Sequence, residues 1–242
     1  MRNVAITIDV EQDVPPFLDT WRGMEEGTPA LLKLLSKHGV RATFFVTGRA
    51  AELYPELVKQ ISRGHEVACH GYEHERFDRM NFEEQLRRIE LATKILTRVV
   101  GRRPPGFRAP NFKPNEHTFA ALEQAGYIYD ASIASYKFEK KPEKSKLIEI
   151  PNTWPSSLLR IPPALSARVL RLSLAALPVT VLDFHVWEVV KMSGVRFDCR
   201  FATGETALRR LDNVLSYLGA RKAKFVLMRD VAASSGQKYS RG

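Results

Sequence analysis

The chain has 242 residues, 44% of them hydrophobic and 26% charged, which bounds it to one domain of α/β-barrel size or two smaller ones with a sizeable core. Its 37 Lys and Arg exceed its 27 Asp and Glu for a net charge of +10, but the cations are spread along the chain without a block, which argues against specific nucleic-acid binding. No apolar run approaches the ~18 residues that span a bilayer, and the two distant cysteines, Cys69 and Cys199, give neither a disulfide framework nor a CxxC pair, so they read as buried free thiols.

The N-terminal "MRNVAITIDVEQD" becomes acidic quickly and has no small-residue cleavage site. It reads as a strand over 4–9 and not as a signal peptide, and the expected location is cytoplasmic. Thr28 as N-cap, Pro29 at the first helical position and Gly39 as a stop predict a helix over 27–39. A second strand is predicted over 41–48, a helix over 51–65 and a short third strand over 66–69, with "CHGYEH" at its end. Asn81 caps a long helix that Gly101 ends. A short strand and turn follow near 106–112, a helix over 115–127 and a strand end at "IYDAS". The Lys-, Pro- and Ser-rich stretch 137–165 reads as a long loop with a strand near "LIEIP". A helix over 165–177, a strand over 179–185, a helix over 203–220 and a last strand over 223–228 complete the pattern, and the final dozen residues read as a loose tail. Strand and helix alternate six or seven times with no linker, which implies one domain built on a parallel sheet or barrel.

Chemically capable residues recur at the C-terminal ends of these strands: Asp9, Glu11, His70, His74, Arg108, Asp130 and His185. In a β/α barrel that rim carries the active site. Asp9 and Glu11 fall on one side of their strand. His70 and His74, at i and i+4, can meet one ion, and a carboxylate from the first strand would complete a two-histidine, one-carboxylate set with positions open to water and substrate. The same set suits an Fe(II) oxygenase. Such an enzyme has no evident use for Arg108, Asp130 and His185. His38, His65 and His117 read as surface or structural, and Trp21 and Trp154 as packing.

The strand-end acids, "HGYEH", "FRAPNF", "YDAS" and "LDFHVWE" stand in the order and approximate spacing of the polysaccharide deacetylases. The chain resembles these NodB-homology enzymes, carbohydrate esterase family 4, over roughly residues 4–230. The resemblance implies a distorted (β/α)7 TIM-like barrel in a single domain spanning 1–242, and a metal-dependent hydrolase that releases acetate from an N-acetylated amino sugar or glycan. It further implies Asp9 as general base and Glu11, His70 and His74 as ligands of a divalent ion, Zn²⁺ foremost, with Co²⁺ or Ni²⁺ also suited. Arg108 would hold Asp9, the backbone N–H of Asn111 would bind the oxyanion, and His185 would be the general acid, its pKa raised by Asp130. Trp187 would line the pocket or pack beside that histidine.

Two departures stand out. Val10 occupies the place of the family's second Asp, which leaves Asp9 and Asp13 as alternative carboxylate ligands, and Asn111 replaces a Tyr. The first departure keeps open a related allantoinase-like hydrolase of small amides; a relative that binds without turnover is a further alternative. The basic, apolar segment 165–177 is compatible with a barrel helix or with peripheral contact at a membrane near a lipid-linked sugar. No oligomeric state follows from the sequence.

Overall fold

The computed structural model describes residues 2–137 and 145–239, with the side chains of 236–239 excepted. Part of the predicted loop, 138–144, and the end of the predicted tail, 240–242, lie outside the described residues. In chain order the elements are β1 (Asn3–Val10), α1 (Thr28–Lys37), β2 (Thr43–Val46), α2 (Gly48–Leu53), α3 (Pro55–Gly64), β3 (Glu66–Cys69), α4 (Phe82–Val100), β4 (Gly106–Phe107), α5 (Glu116–Gln124), β5 (Tyr129–Asp130), β6 (Ile148–Glu149), α6 (Pro163–Ala176), β7 (Val179–His185), α7 (Phe197–Arg200), α8 (Glu205–Ala220), β8 (Lys224–Phe225) and α9 (Met228–Tyr239). The strands pair in parallel in the order β6-β5-β4-β3-β2-β1-β7, and β8 adds to the start of β1. This is a curled (β/α)7 half-barrel, the distorted TIM-like barrel that the family resemblance implies, on the parallel sheet that the alternating pattern implies.

Period-two alternation gives the sheet two chemically different faces. Val4, Ile6, Ile8 and Val10 of β1 join Phe44, Val67 and Phe184 in a large core against the helices. Ala5, Phe45, Ala68, Tyr129 and Val181 point inward and pack on Met228, Val231 and Ala232 of α9. Side chains fill this interior so closely that a Cβ on Gly106 would fall 1.9 Å from the Tyr129 ring.

Local chemistry explains the element ends. Asn81 and Glu84 form a reciprocal capping box on α4, and Gly101 closes it in the left-handed conformation at φ 77°. The predicted 51–65 helix is two helices, because Pro55 cannot donate to a preceding turn and restricts Tyr54, which sits at φ −128°, ψ 53°. Thr28 is not the cap of α1. It lies inside the helical path, preceded by a wide turn over Gly23–Gly27, and its hydroxyl donates to the Gly23 carbonyl at 3.2 Å. The predicted loose tail is corrected for residues up to Tyr239: they form α9, whose first turns close the lower end of the barrel.

Candidate active site

Strand register assembles the site. β1 and β7 pair with Thr7 opposite Asp183 and Asp9 opposite His185, so four polar residues meet on the inner face. Pairing of Cys69 with Phe107 ends β3 and β4 side by side, and His70 and Arg108 follow at the same height. Arg108 is fully buried. Its Nη1 donates to Asp9 Oδ1 and to Asp183 Oδ1, each at 2.6 Å, and its Nη2 donates to Thr7 Oγ1 at 2.9 Å. The guanidinium lies 4.0 Å from the centre of the Phe45 ring. Charge pairing with both acids outweighs desolvation and raises the Arg108 pKa.

A second group forms beside this one. Glu11, His70 and His74 bring ligand atoms within 4.8 Å of one another. Glu11 Oε2 is buried, 3.3 Å from His70 Nε2 and 2.9 Å from His74 Nε2, and no donor among the described residues makes a well-aligned hydrogen bond to it. His70 Nδ1 lies 2.9 Å from the Arg108 carbonyl. A carbonyl only accepts, so Nδ1 donates to it and Nε2 is the ring nitrogen turned towards Glu11. His74 reaches the same point because its backbone turns left-handed, at φ 63°, three residues after Gly71 at φ 77°. A Cβ on Gly71 would stand 2.7 Å from Glu75 Oε2, the atom that accepts the Tyr72 N–H. Trp187 Nε1 donates to the other Glu11 oxygen at 3.2 Å.

These donors fit a divalent ion: two imidazole nitrogens and a buried carboxylate oxygen converge on one point. Burial pushes Glu11 up, but His74, His70 and His185 outweigh it and hold the carboxyl well below its usual range. Burial likewise lowers His74, and the charge of Glu11 overrides it to raise the imidazole. An ion would take over the neutralising role that this proton plays. Asp9, Asp183 and His185 form a second cluster of similar span. There the Arg108 guanidinium already lies between the two carboxylates, so the positive charge is built in.

His185 is raised to about 10: burial opposes this, and Asp183, Glu188 and Glu11 override it. Burial and Asp9 push Asp183 up to about 7 against the pull of Arg108 and His185. Glu188 accepts the His185 backbone N–H at 3.1 Å and pairs with Arg160 at 2.7 Å. Trp187 packs beside His185 with ring centres 5.0 Å apart.

Two sequence expectations are corrected. Asp130 does not attend His185. Its oxygens accept the Ser132 backbone N–H at 2.9 Å and the Ser132 hydroxyl at 2.6 Å, on a strand separated from β7 by four others. Asp183 stands in that place instead. The sequence carried one signal for it: a carboxylate two residues before His185 inside an apolar strand shares the histidine's face. Asp13 is not available as a ligand either. It accepts from the Thr20 hydroxyl at 2.7 Å and from the backbone N–H groups of Arg22 and Gly23 at 2.8 Å each, and so ties down the β1–α1 loop. Val10 points into the helix-facing core, whereas Asp9 and Glu11 share the inner side.

Asn111 lies at φ 60°, a conformation that asparagine tolerates better than tyrosine, and Lys137 binds its carbonyl at 2.7 Å. A cavity of about 360 Å³ opens beside His74, lined by Trp21, Thr47, Arg49 and others. Trp154 is packing, its Nε1 bound to Ser173 Oγ at 2.7 Å. Cys69 is buried, with burial pushing its thiol up to about 12, and Cys199 is half-buried.

The profile of the family described as polysaccharide deacetylase matches residues 2–129. The chain belongs to the polysaccharide deacetylase family. The peptidoglycan-N-acetylglucosamine deacetylase of Bacillus cereus is 38% identical over 108 residues, which is 44% of this chain and 35% of that protein. The chain spans less than half the length of the curated relatives it matches. A Mycobacterium smegmatis protein assigned to the polysaccharide deacetylases superposes with a TM-score of 0.75 at 25% identity, covering 98% of this chain and 91% of that one. Puue allantoinase superposes with a TM-score of 0.74 at 18% identity over 96% of this chain and 89% of its own, a likeness of fold alone.

Proposed function

We propose that this polysaccharide deacetylase-family chain hydrolyses the N-acetyl amide of an amino sugar or glycan, with a divalent ion on Glu11, His70 and His74. The observation that carries the reading is the buried Glu11 Oε2, faced by two imidazole nitrogens and given no well-aligned hydrogen bond by the described residues. An ion there, Zn²⁺ or equally Co²⁺ or Ni²⁺, supplies Lewis acidity towards water and an amide carbonyl. The remaining chemistry belongs to the chain. Arg108 occupies one oxygen of Asp9 and leaves Oδ2, 3.9 Å from His185 Nε2, to accept a proton from the attacking water. His185, kept protonated by Asp183, Glu188 and Glu11, delivers a proton to the nitrogen as the C–N bond breaks. Acetate and a free amino sugar result. Asp183 acts as a positioning residue between Arg108 and His185, and the N–H of Asn111 is the candidate oxyanion donor.

The test is acetate release from N-acetylglucosamine oligomers by wild type and by His74→Ala, beside a panel of small ureides. The expected outcome is acetate from the oligomers, lost in the variant. Activity that survives His74→Ala would overturn the ligand assignment, and turnover confined to ureides would move the chain to an allantoinase-like reaction.

A further inference from the structure

α6 turns an unusual face away from the barrel. Its Leu170 and Leu174 are in the core, but Leu165 is 48% and Leu172 58% exposed. Arg168 and Arg171 are exposed beside them. Positions 165, 168 and 172 share one side of a helix. Between residues 161 and 182 the chain has two arginines, Arg168 and Arg171, and no Asp or Glu. The groove between α6 and α8 is lined by Arg168, Arg171 and Arg221, again without an acid.

α7 carries a second exposed apolar surface, tied to the start of α6 through Arg160. Phe197 and Phe201 are 65% and 44% exposed and stack with ring centres 5.3 Å apart. Lys191, Arg200 and Arg210 line a cavity of about 550 Å³ with them. The acid on this segment, Asp198, is paired with Arg196 at 2.7 Å. Arg160, just before α6, donates Nε to the Asp198 carbonyl at 2.8 Å and so links the two apolar surfaces. A small core of Val14, Trp187, Val190, Met192 and Val195 connects α7 to the site beside His185.

We propose that α6 and α7 form a docking face for a bilayer containing anionic phospholipid. Exposed leucines and phenylalanines gain by entering the acyl boundary, and the surrounding cations match lipid phosphates. A second copy of the chain would bring the same uncompensated cations. A nucleic acid would leave the apolar side chains in water. A deacetylated glycan carries ammonium groups that these arginines repel. Docking sets the catalytic rim near the headgroups, within reach of a sugar on a lipid carrier. That last step rests on the deacetylation reading, whereas the docking does not.

The test is co-sedimentation of the full chain with vesicles of phosphatidylcholine alone or mixed with phosphatidylglycerol. The expected result is binding to the mixed vesicles that weakens with salt. Each cation near an anionic surface multiplies binding roughly fivefold, so Arg168→Glu/Arg171→Glu lowers it by about twenty-five-fold or more. Leu172→Ser/Phe197→Ser lowers it roughly tenfold or more. An equal charge change on α4, which packs against α2, α3 and α5, shifts binding less than about twofold in Arg87→Glu/Lys94→Glu. All six side chains are exposed, and circular dichroism checks that each variant folds.

Acetate release from soluble oligomers is expected to be unchanged in all three variants, which separates failure of docking from failure of the catalytic reading. Absence of binding to mixed vesicles, or equal losses from the α4 pair, would overturn the proposal. Binding that is sensitive to the arginines but not to Leu172 and Phe197 would assign the face to a water-soluble polyanion. A dimer dissolved by Leu172→Ser/Phe197→Ser without vesicle binding would assign it to a second copy.

Discussion

The barrel interior holds a buried glutamate at each end, and the two are treated in opposite ways. Glu66, at the lower end, is 1% exposed and fully served by neutral donors. Thr43 Oγ1 donates to it at 2.8 Å, Tyr129 Oη at 2.9 Å and the Arg229 backbone N–H, near the start of α9, at 3.1 Å. Burial still pushes its pKa up. Glu11, at the upper end, is 2% exposed, and among the described residues one of its oxygens meets imidazole nitrogens and no well-aligned donor. Its pKa is held well below the usual range. A carboxylate that serves the fold has its hydrogen bonds completed by the fold. One that its fold leaves open in this way is a candidate for chemistry, poised towards a charge still to come.

Breaking the cation that supports the upper end is expected to have the largest effect. Arg108→Met strands two buried carboxylates, Asp9 and Asp183. Removing one partner of a buried pair costs about 3–5 kcal/mol, so a large fall in melting temperature, with loss of acetate release, is the expected outcome. A small change in melting temperature would show that Arg108 is not the keystone described here.

Paired substitutions of the two glutamates sharpen the contrast. Glu66→Gln is expected to cost about 1–3 kcal/mol in denaturant unfolding while turnover per folded molecule is retained. Glu11→Gln is expected to leave the metal-free protein about as stable and to abolish turnover. Similar profiles for the two would erase the distinction. A smaller effect is expected for Trp187→Phe, which removes the N–H donated to Glu11. Loss of such an outer partner weakens metal affinity by about 10–100-fold, measurable by competition with a chelating dye.

The finest probe is pH. His185 is raised to about 10 from its ordinary 6.5, so its protonated form persists through neutrality. The corresponding contribution to stability is complete below about 6.5 and disappears as pH rises towards about 10. Asp183→Asn removes one of the charges that raise it. The alkaline limb of the rate profile is then expected to move to lower pH, with the shift read from kcat against pH. An unmoved limb would remove Asp183 from this role.

The order of β and α elements was legible because most strands are apolar and most helices carry their own stops, such as Asn81 and Gly101. The turn that carries His70 and His74 was legible in "HGYEH", where a glycine permits the tight reversal that brings His74 back to His70. The identity of the acid beside His185 was not legible from motif order. Asp130 ends β5 and Asp183 lies two residues before the end of β7, and the strand order, which puts four strands between β5 and β7, decides which of them faces His185. The same holds for Asp13, whose three hydrogen bonds come from residues 20–23 across a loop that has no periodic signal. α9 was hidden because "RDVAASSGQKY" is polar and small. Its helix depends on Met228, Val231 and Ala232 finding the open end of the barrel.

The most direct measurement is metal stoichiometry by elemental mass spectrometry after equilibration with Zn²⁺, on wild type, Glu11→Gln and His74→Ala. The account requires one ion per wild-type chain and none in either variant. An ion retained at full stoichiometry by Glu11→Gln and His74→Ala would contradict it and place the metal elsewhere.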